Sequence, residues 1–295
     1  MTGYLIQGSA FLLFVCAVLI SHRTFIRPYR SLLDSENSSL LLLLTLTFWG
    51  GLLGSPLWWM NFPWSFSWAL PPLAGRMLAS AGVAFAALSL MVLRRPTPRR
   101  LHLILICLTA YLVPLVCTIL MFHLQRFNFS VPITYGFFAI AGGMAVATLW
   151  FYFGFGGMKP ILPDEDPGTH SVVETWLWAV GLMTGLWGAA LFAIDNGPLK
   201  QIWIWPGDPL TTRLIGSMLI TIAWGALFSR KHADVARMML VFMMIYGLGA
   251  GLANLWNVLA GKPIKLFYFV FFLDVGLIST LLLPGMIPHK KPLDS

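Results

Sequence analysis

Long apolar stretches, separated by short polar segments, follow one another along this chain of 295 residues. Each stretch holds about 20 residues, the length that crosses a hydrocarbon layer of ~30 Å as an α-helix. No alternating strand pattern interrupts them. The pattern predicts an all-α, polytopic transmembrane helical bundle of nine helices. The predicted spans are residues 4–21, 38–60, 72–93, 101–122, 132–154, 173–194, 209–228, 236–258 and 265–284.

Two stretches about 137 residues apart carry nearly the same sequence. The matching positions are Trp68, Pro72, Arg76 and Ser80 in the first copy, and Trp205, Pro209, Arg213 and Ser217 in the second. The match extends upstream, where Trp49-Gly50 corresponds to Trp187-Gly188, and downstream, where Pro132-Ile133 corresponds to Pro263-Ile264. Each copy opens a long apolar stretch, so we interpret most of the chain as an internal duplication.

The duplication predicts one extra N-terminal helix followed by two four-helix units. Four crossings separate the starts of the units, so both enter the membrane from the same side and the repeat is parallel. The predicted segments are an N-terminal helix and loop (1–37), the first unit (38–154), a linker (155–172), the second unit (173–285) and a C-terminal tail (286–295). The linker is rich in Gly, Pro and acidic residues, which are typical of a loop.

Glycine pairs four residues apart recur in the predicted spans. They are Gly50 and Gly54, Gly181 and Gly185, and Gly247 and Gly251. Small residues at this spacing let two membrane helices approach closely. We therefore expect helix crossings at these pairs.

Composition and charge support a membrane location. The mean hydropathy is +0.79, and charged residues make up 10% of the chain against roughly 25% in an average globular protein. An N-terminus outside the membrane places 13 of the 19 Lys and Arg residues in the inner segments. The sequence therefore predicts a bacterial inner-membrane protein with an external N-terminus and a cytoplasmic C-terminus. This distribution also accounts for the net charge of +8 without nucleic-acid binding.

The repeated motif is the first candidate site. Arg76 and Arg213 each follow a helix-starting proline by one turn, and Ser80 and Ser217 follow on the same face. Aromatic loops containing Trp68 and Trp205 precede the two helices. One interpretation is a pair of cationic clefts for a lipid head group or another anion. The other is an aromatic belt in which each arginine extends to the interface and caps loop carbonyls.

Asp274 is the second candidate, because it lies near the middle of the last predicted span. A carboxylate at the membrane centre costs roughly 2.5–3.5 kcal/mol on insertion scales, so we expect it to face the bundle or to be protonated. One interpretation is a proton or cation relay or a cofactor ligand. The other is a buried side chain that hydrogen bonds to a neighbouring helix near Asn254 or Trp256.

Histidine and cysteine positions bear on cofactors. All six His residues lie at or beyond span ends, whereas a haem held between two helices needs His well inside the layer, so we expect no b-type haem. Cys16, Cys107 and Cys117 form no metal-binding or disulfide pattern. The sequence contains no motif for a particular metal or cofactor, and a bound lipid or pigment is compatible with it.

No nucleophile, base and acid converge in the sequence pattern, so we do not expect an enzyme. The first functional hypothesis is an accessory or scaffold subunit of a larger bacterial membrane complex, in contact with lipids and other membrane proteins. The second is a small transporter or a lipid- or anion-binding protein with its site between the two units. The third is a membrane-embedded, lipid-modifying transferase.

Overall fold

The computed structural model describes residues 2–62, 65, 66, 68, 70–157, 159–164, 168–194 and 208–286. Nine α-helices account for most of this part of the chain, so the predicted all-α class is confirmed. They are α1 (Thr2–Ser21), α2 (Ser35–Trp59), α3 (Pro72–Arg94), α4 (Pro98–Thr118), α5 (Pro132–Gly154), α6 (Ser171–Ala193), α7 (Pro209–Ser229), α8 (Ala233–Leu259) and α9 (Leu266–Leu282). Each begins and ends within a few residues of its predicted span. A π-helical turn, Ile119–His123, extends α4.

The helices are long and apolar enough for a membrane. Eight described segments of 18 residues or more meet the length and hydropathy of a membrane span, and α9 is apolar but has 17 residues. At 1.5 Å per residue, α9 covers about 25 Å, near the lower end of what crosses a bilayer. The protein is therefore a multi-pass integral membrane protein in contact with membrane lipids.

Prolines and acidic caps set several helix starts. Pro72, Pro98, Pro132 and Pro209 each occupy the first position of a helix, where a missing N–H group costs little. Asp208 caps α7 by accepting a hydrogen bond from the Thr211 backbone N–H at 3.3 Å. These local signals fix where α3 and α7 begin, and hence where the two arginines lie.

Four helices form the centre of the bundle. In it α3 packs against α8 and α4 packs against α7. The other helices cover this centre from outside: α2 packs on α3, α5 on α4, α6 on α7 and α9 on α8, while α1 lies along α2. Phe85 of α3 joins the central helices, with its ring centroid 5.3 Å from Tyr111 of α4 and 5.2 Å from Phe242 of α8.

Glycines lie where helix pairs approach most closely. A Cβ atom at Gly51 would collide with the backbone of Gly82, so α2 and α3 touch there. Gly181 and Gly247 likewise abut α7 and α9. The expected crossing at Gly50 and Gly54 is wrong, because Gly50 faces open space and Gly54 meets Trp58 of its own helix. One residue along a helix turns the side chain by about 100°, which is the whole difference between Gly50 and Gly51.

Four connections meet at one end of the bundle, which we call the basic end. They are the segments before α2, before α4, before α6 and before α8. Their hydrogen bonds join Tyr29 Oη to Arg94 O at 2.9 Å, Asn37 Nδ2 to Lys159 O at 3.1 Å, Arg99 N to Asp164 Oδ1 at 3.2 Å, and Thr169 N to Lys231 O at 3.3 Å. The predicted linker therefore packs on the other connections through its described residues. We call the opposite end, where α3 and α7 begin, the aromatic end.

Candidate functional site

Arg76 on α3 reaches across to α8 at the aromatic end. Its guanidinium carbon lies 5.3 Å from the centre of the Trp256 ring, and its Nη1 donates to Asn257 Oδ1 at 3.1 Å. Asn257 is buried, and Trp256 is half-exposed beside it. The contact therefore combines a cation–π interaction with a hydrogen bond between residues 181 positions apart in the sequence.

Arg213 on α7 makes the corresponding contacts with the end of α4. Its guanidinium carbon lies 5.1 Å from the centre of the Phe122 ring, and its Nη1 lies 2.7 Å from Nε2 of the buried His123. Arginine only donates, so Nε2 of His123 accepts this bond and carries no proton in it. The Nε atom of Arg213 also donates to Phe192 O at 3.4 Å.

The two arginines thus repeat one arrangement. Each guanidinium lies over an aromatic ring and hydrogen bonds to the residue that follows this aromatic residue in the sequence. One pair of partners lies in the last turn of α8, and the other lies in the π-helical turn that extends α4. They differ at one atom: Nε of Arg76 is buried and meets no acceptor among the described residues. Both guanidinium groups therefore join helices rather than stand in an open cleft.

The two serine side chains of the motif form hydrogen bonds within their own helices. Ser80 Oγ donates to Arg76 O and Ser217 Oγ donates to Arg213 O, each at 2.9 Å. Serine and threonine side chains in membrane helices commonly bond the carbonyl four residues earlier in this way. Ser80 also lies directly against Gly249 of α8, which has no side chain to obstruct it.

The aromatic loop before α3 packs against α5. The ring centroid of Trp68 lies 5.1 Å from that of Phe127 and 5.2 Å from that of Phe137, and its Nε1 atom is buried without a described acceptor. Its counterpart Trp205 lies outside the described residues.

Asp274 is exposed on the outside of the bundle. The expectation that it faces the bundle is therefore not met, and the alternative, that it is protonated, stays a prediction. Asn254, its expected neighbour, is fully buried in α8 and donates from Nδ2 to Ala250 O at 2.8 Å. Asp274 makes no hydrogen bond or ion pair with the described residues. The sequence could not assign the direction of this side chain, because α9 is apolar on all sides.

An ion pair at the basic end was not predicted from the sequence. Arg100 on α4 donates from Nε to Asp234 Oδ2 of α8 at 2.6 Å and from Nη2 to Asp234 Oδ1. Its Nη1 donates to Met91 O at 3.1 Å. Both residues lie near the start of a helix, in segments with several other charged residues. The sequence therefore allows many pairs of opposite charge and does not select this one.

A cleft of about 400 Å³ separates α6 from α9 on the surface. It is lined mainly by apolar side chains, including Trp176, Ala179, Ile278 and Leu282, and Trp176 Nε1 donates to Ser279 Oγ at 3.2 Å across it. Ile278 and Leu282 follow Asp274 by one and two turns on the same side of α9.

The described part of the chain contains possible metal ligands and free cysteines. No three His, Cys, Asp or Glu side chains come together there as metal ligands. Cys16 and Cys117 are exposed and Cys107 is buried, each as a free thiol.

Comparison with known proteins found no match: no family model, no curated protein and no solved structure resembles this chain.

Proposed function

We propose that this protein is a non-catalytic accessory subunit that binds other membrane proteins within a larger assembly. The observation that carries the proposal is the exposure of Asp274 at the centre of an apolar helix. Asp274 is eight positions from each end of α9, so it stands about 12 Å from either end. No other charged residue of the described helices lies more than two turns from both ends of its helix.

An exposed charge in this place makes the isolated subunit incomplete. A carboxylate that faces hydrocarbon costs roughly 2.5–3.5 kcal/mol at the centre of a helix on insertion scales, and intramembrane charges almost always face protein or water. Covering Asp274 with a second chain removes this cost. The same energy difference then stabilises the assembly over the free subunit.

We also propose that the chain is a parallel duplication of a four-helix unit. The packing of α2 on α3 and of α4 on α5 corresponds to that of α6 on α7 and of α8 on α9. The contact of α3 with α8 corresponds to that of α7 with α4, as two-fold related units require. These pairings support a first unit of α2–α5 and a second of α6–α9, with Arg76 and Arg213 joining them in equivalent ways.

The orientation is also a proposal. Arg23, Arg27, Arg30 and the basic residues around α4 and α8 gather near the basic end, and the positive-inside rule assigns such an end to the cytoplasm. The aromatic end then faces outward, and the membrane is the bacterial inner membrane.

The contacts of the two arginines favour the accessory subunit over a transporter or an anion-binding protein. An anion site between the units requires Arg76 and Arg213 to direct donors at a ligand. Their Nη1 atoms are instead engaged by Asn257 and His123, and Nε of Arg76 is a buried guanidinium donor that stays without a described acceptor. A lipid-modifying transferase gains no specific support from the described side chains.

The proposal is tested by the mass of the particle extracted from native membranes. Extraction into polymer-bounded lipid discs preserves lateral contacts, and we expect the tagged protein to co-elute with other proteins in a particle whose protein mass exceeds the 32.8 kDa of one chain. The Asp274→Leu variant should shift toward the single chain, whereas Leu277→Val, an apolar exchange one turn away, should not. A wild-type protein that elutes only as a single chain contradicts the proposal.

A further inference from the structure

We propose that the partner binds as a transmembrane helix that carries a Lys or Arg residue at mid-membrane depth, paired with Asp274 and seated along the cleft between α6 and α9. This inference rests on the proposed function and identifies the chemistry of its partner. We call the surface the α6/α9 face. Its residues are Val172, Met183 and Leu186 on α6 and Val270, Asp274 and Ile278 on α9.

The shape of the α6/α9 face suits one helix. The cleft runs between α6 and α9, and residues at helical spacing continue its two walls toward the aromatic end. On α6 they are Met183 and Leu186, which follow the cleft residue Ala179 by one and two turns and are 46% and 74% exposed. On α9 they are Val270 and Asp274, which precede Ile278 by two turns and one turn. The face therefore combines an apolar cleft with exposed apolar side chains that continue along both helices, and with one acid on α9.

The charge of Asp274 determines the chemistry of the partner. The two intramembrane arginines of this chain are engaged elsewhere: Arg76 with Trp256 and Asn257, and Arg213 with Phe122 and His123. Within the described residues no cation pairs with Asp274, and we assign its counter-charge to another chain. A cationic lipid head group remains at the interface, about 12 Å from Asp274 by the helical rise, and so it does not reach this depth.

A helix is the structure that can deliver the cation. Within the hydrocarbon layer every backbone polar group must be satisfied internally, which leaves an α-helix as the form in which a single segment can lie against the α6/α9 face. A second copy of this chain fits less well, because its α6/α9 face would bring another carboxylate toward Asp274. We therefore assign the face to a different protein with a basic membrane helix.

Photo-crosslinking at single positions tests the inference in native membranes. A benzophenone side chain at Val270 lies one turn from Asp274, and the same group at Val146 of α5, which is 68% exposed, serves as the control. We expect Val270 to form an adduct with a protein whose crosslinked peptide is an apolar segment containing Lys or Arg. Val146 should instead crosslink to lipid. Asp274→Leu should lower the Val270 adduct by roughly tenfold or more, and Asp274→Glu should retain it.

Charge exchange then separates pairing from mere proximity. Asp274→Lys should abolish the adduct, and replacing the basic residue of the crosslinked partner by Asp should restore it. The inference is overturned if the Val270 adduct is lipid, is a second copy of this chain, or is a segment without a basic residue. If the wild-type particle still contains other proteins in that case, the proposed function stands and only the docking surface is wrong. If the particle is a single chain, both proposals fail.

Discussion

Arg100 and Asp234 join α4 to α8 through a two-point ion pair at the basic end of the bundle. The pair is partly buried, with the Arg100 side chain 13% and the Asp234 side chain 25% exposed. Arg76 and Arg213 join the helices α3 to α8 and α7 to α4 at the other end. Charged side chains thus connect the same group of central helices at both ends, where lipid supplies no hydrophobic drive for helix association.

Removing one member of the Arg100–Asp234 pair should destabilise the protein. We expect Arg100→Ala or Asp234→Ala to lower the free energy of unfolding by roughly 1–3 kcal/mol, between the values for surface and fully buried pairs. Unfolding in mixed detergent micelles measures this change. The exposed Arg237, one turn after Asp234 on α8, provides the control, and Arg237→Ala should change it little. The double variant should lose less than the sum of the single variants, since both remove one interaction.

The two arginines at the aromatic end should contribute independently. Each combines a cation–π contact with a hydrogen bond, so we expect Arg76→Ala and Arg213→Ala each to lower the free energy of unfolding by about 1–3 kcal/mol. Their contacts involve different residues, and the effects should therefore add. Arg126→Ala, an exposed residue after α4, is the control. An anion-binding role would instead appear as loss of anionic lipid binding with unchanged stability.

Two adjacent glycines test the crossing of α2 and α3. A methyl group at Gly51 would collide with Gly82, so Gly51→Ala should destabilise the protein by about 1–3 kcal/mol. A methyl group at Gly50 meets open space, and Gly50→Ala should be neutral or slightly stabilising because alanine favours the helix. Thermal unfolding of both variants in the same detergent compares them directly. Equal effects at the two positions would contradict the crossing.

Cysteine labelling tests the proposed orientation of the protein in the membrane. Arg126 and Lys159 are exposed, near the aromatic end and the basic end respectively. With the exposed Cys16 and Cys117 replaced by Ala, a membrane-impermeant maleimide should label Arg126→Cys in intact cells. It should label Lys159→Cys only after permeabilisation, because the basic end is proposed to be cytoplasmic. The reverse pattern would invert the proposed topology and leave the helix packing unaffected.

The sequence predicted the helices well because their signals are local. Apolar length sets each span, and prolines such as Pro72 and Pro209 mark where helices start. The partners of Arg76 and Arg213 were not predictable, since they lie 181 and 90 residues away and no local pattern selects them. A signal was present nonetheless: Phe122-His123 and Trp256-Asn257 both place an aromatic residue before a hydrogen-bonding one, late in corresponding spans.

Asp274 is where the isolated subunit and the assembly should respond in opposite directions. If the carboxylate faces lipid when the subunit is alone, Asp274→Leu removes the cost of holding it there, and the free energy of unfolding by a denaturant that draws α9 out of the bilayer into water should rise by as much as about 2.5–3.5 kcal/mol. Leu277→Val, also exposed on α9, should leave it nearly unchanged. The same Asp274→Leu substitution should weaken association with the partner, because the acid supplies its half of the pair. A side chain buried by its own bundle behaves otherwise: its loss would leave a void or an unpaired donor, and Asp274→Leu would destabilise the isolated protein. The sign of the change in unfolding free energy, measured on the purified single chain, therefore shows whether Asp274 stabilises the subunit itself or contributes only when a second protein is bound.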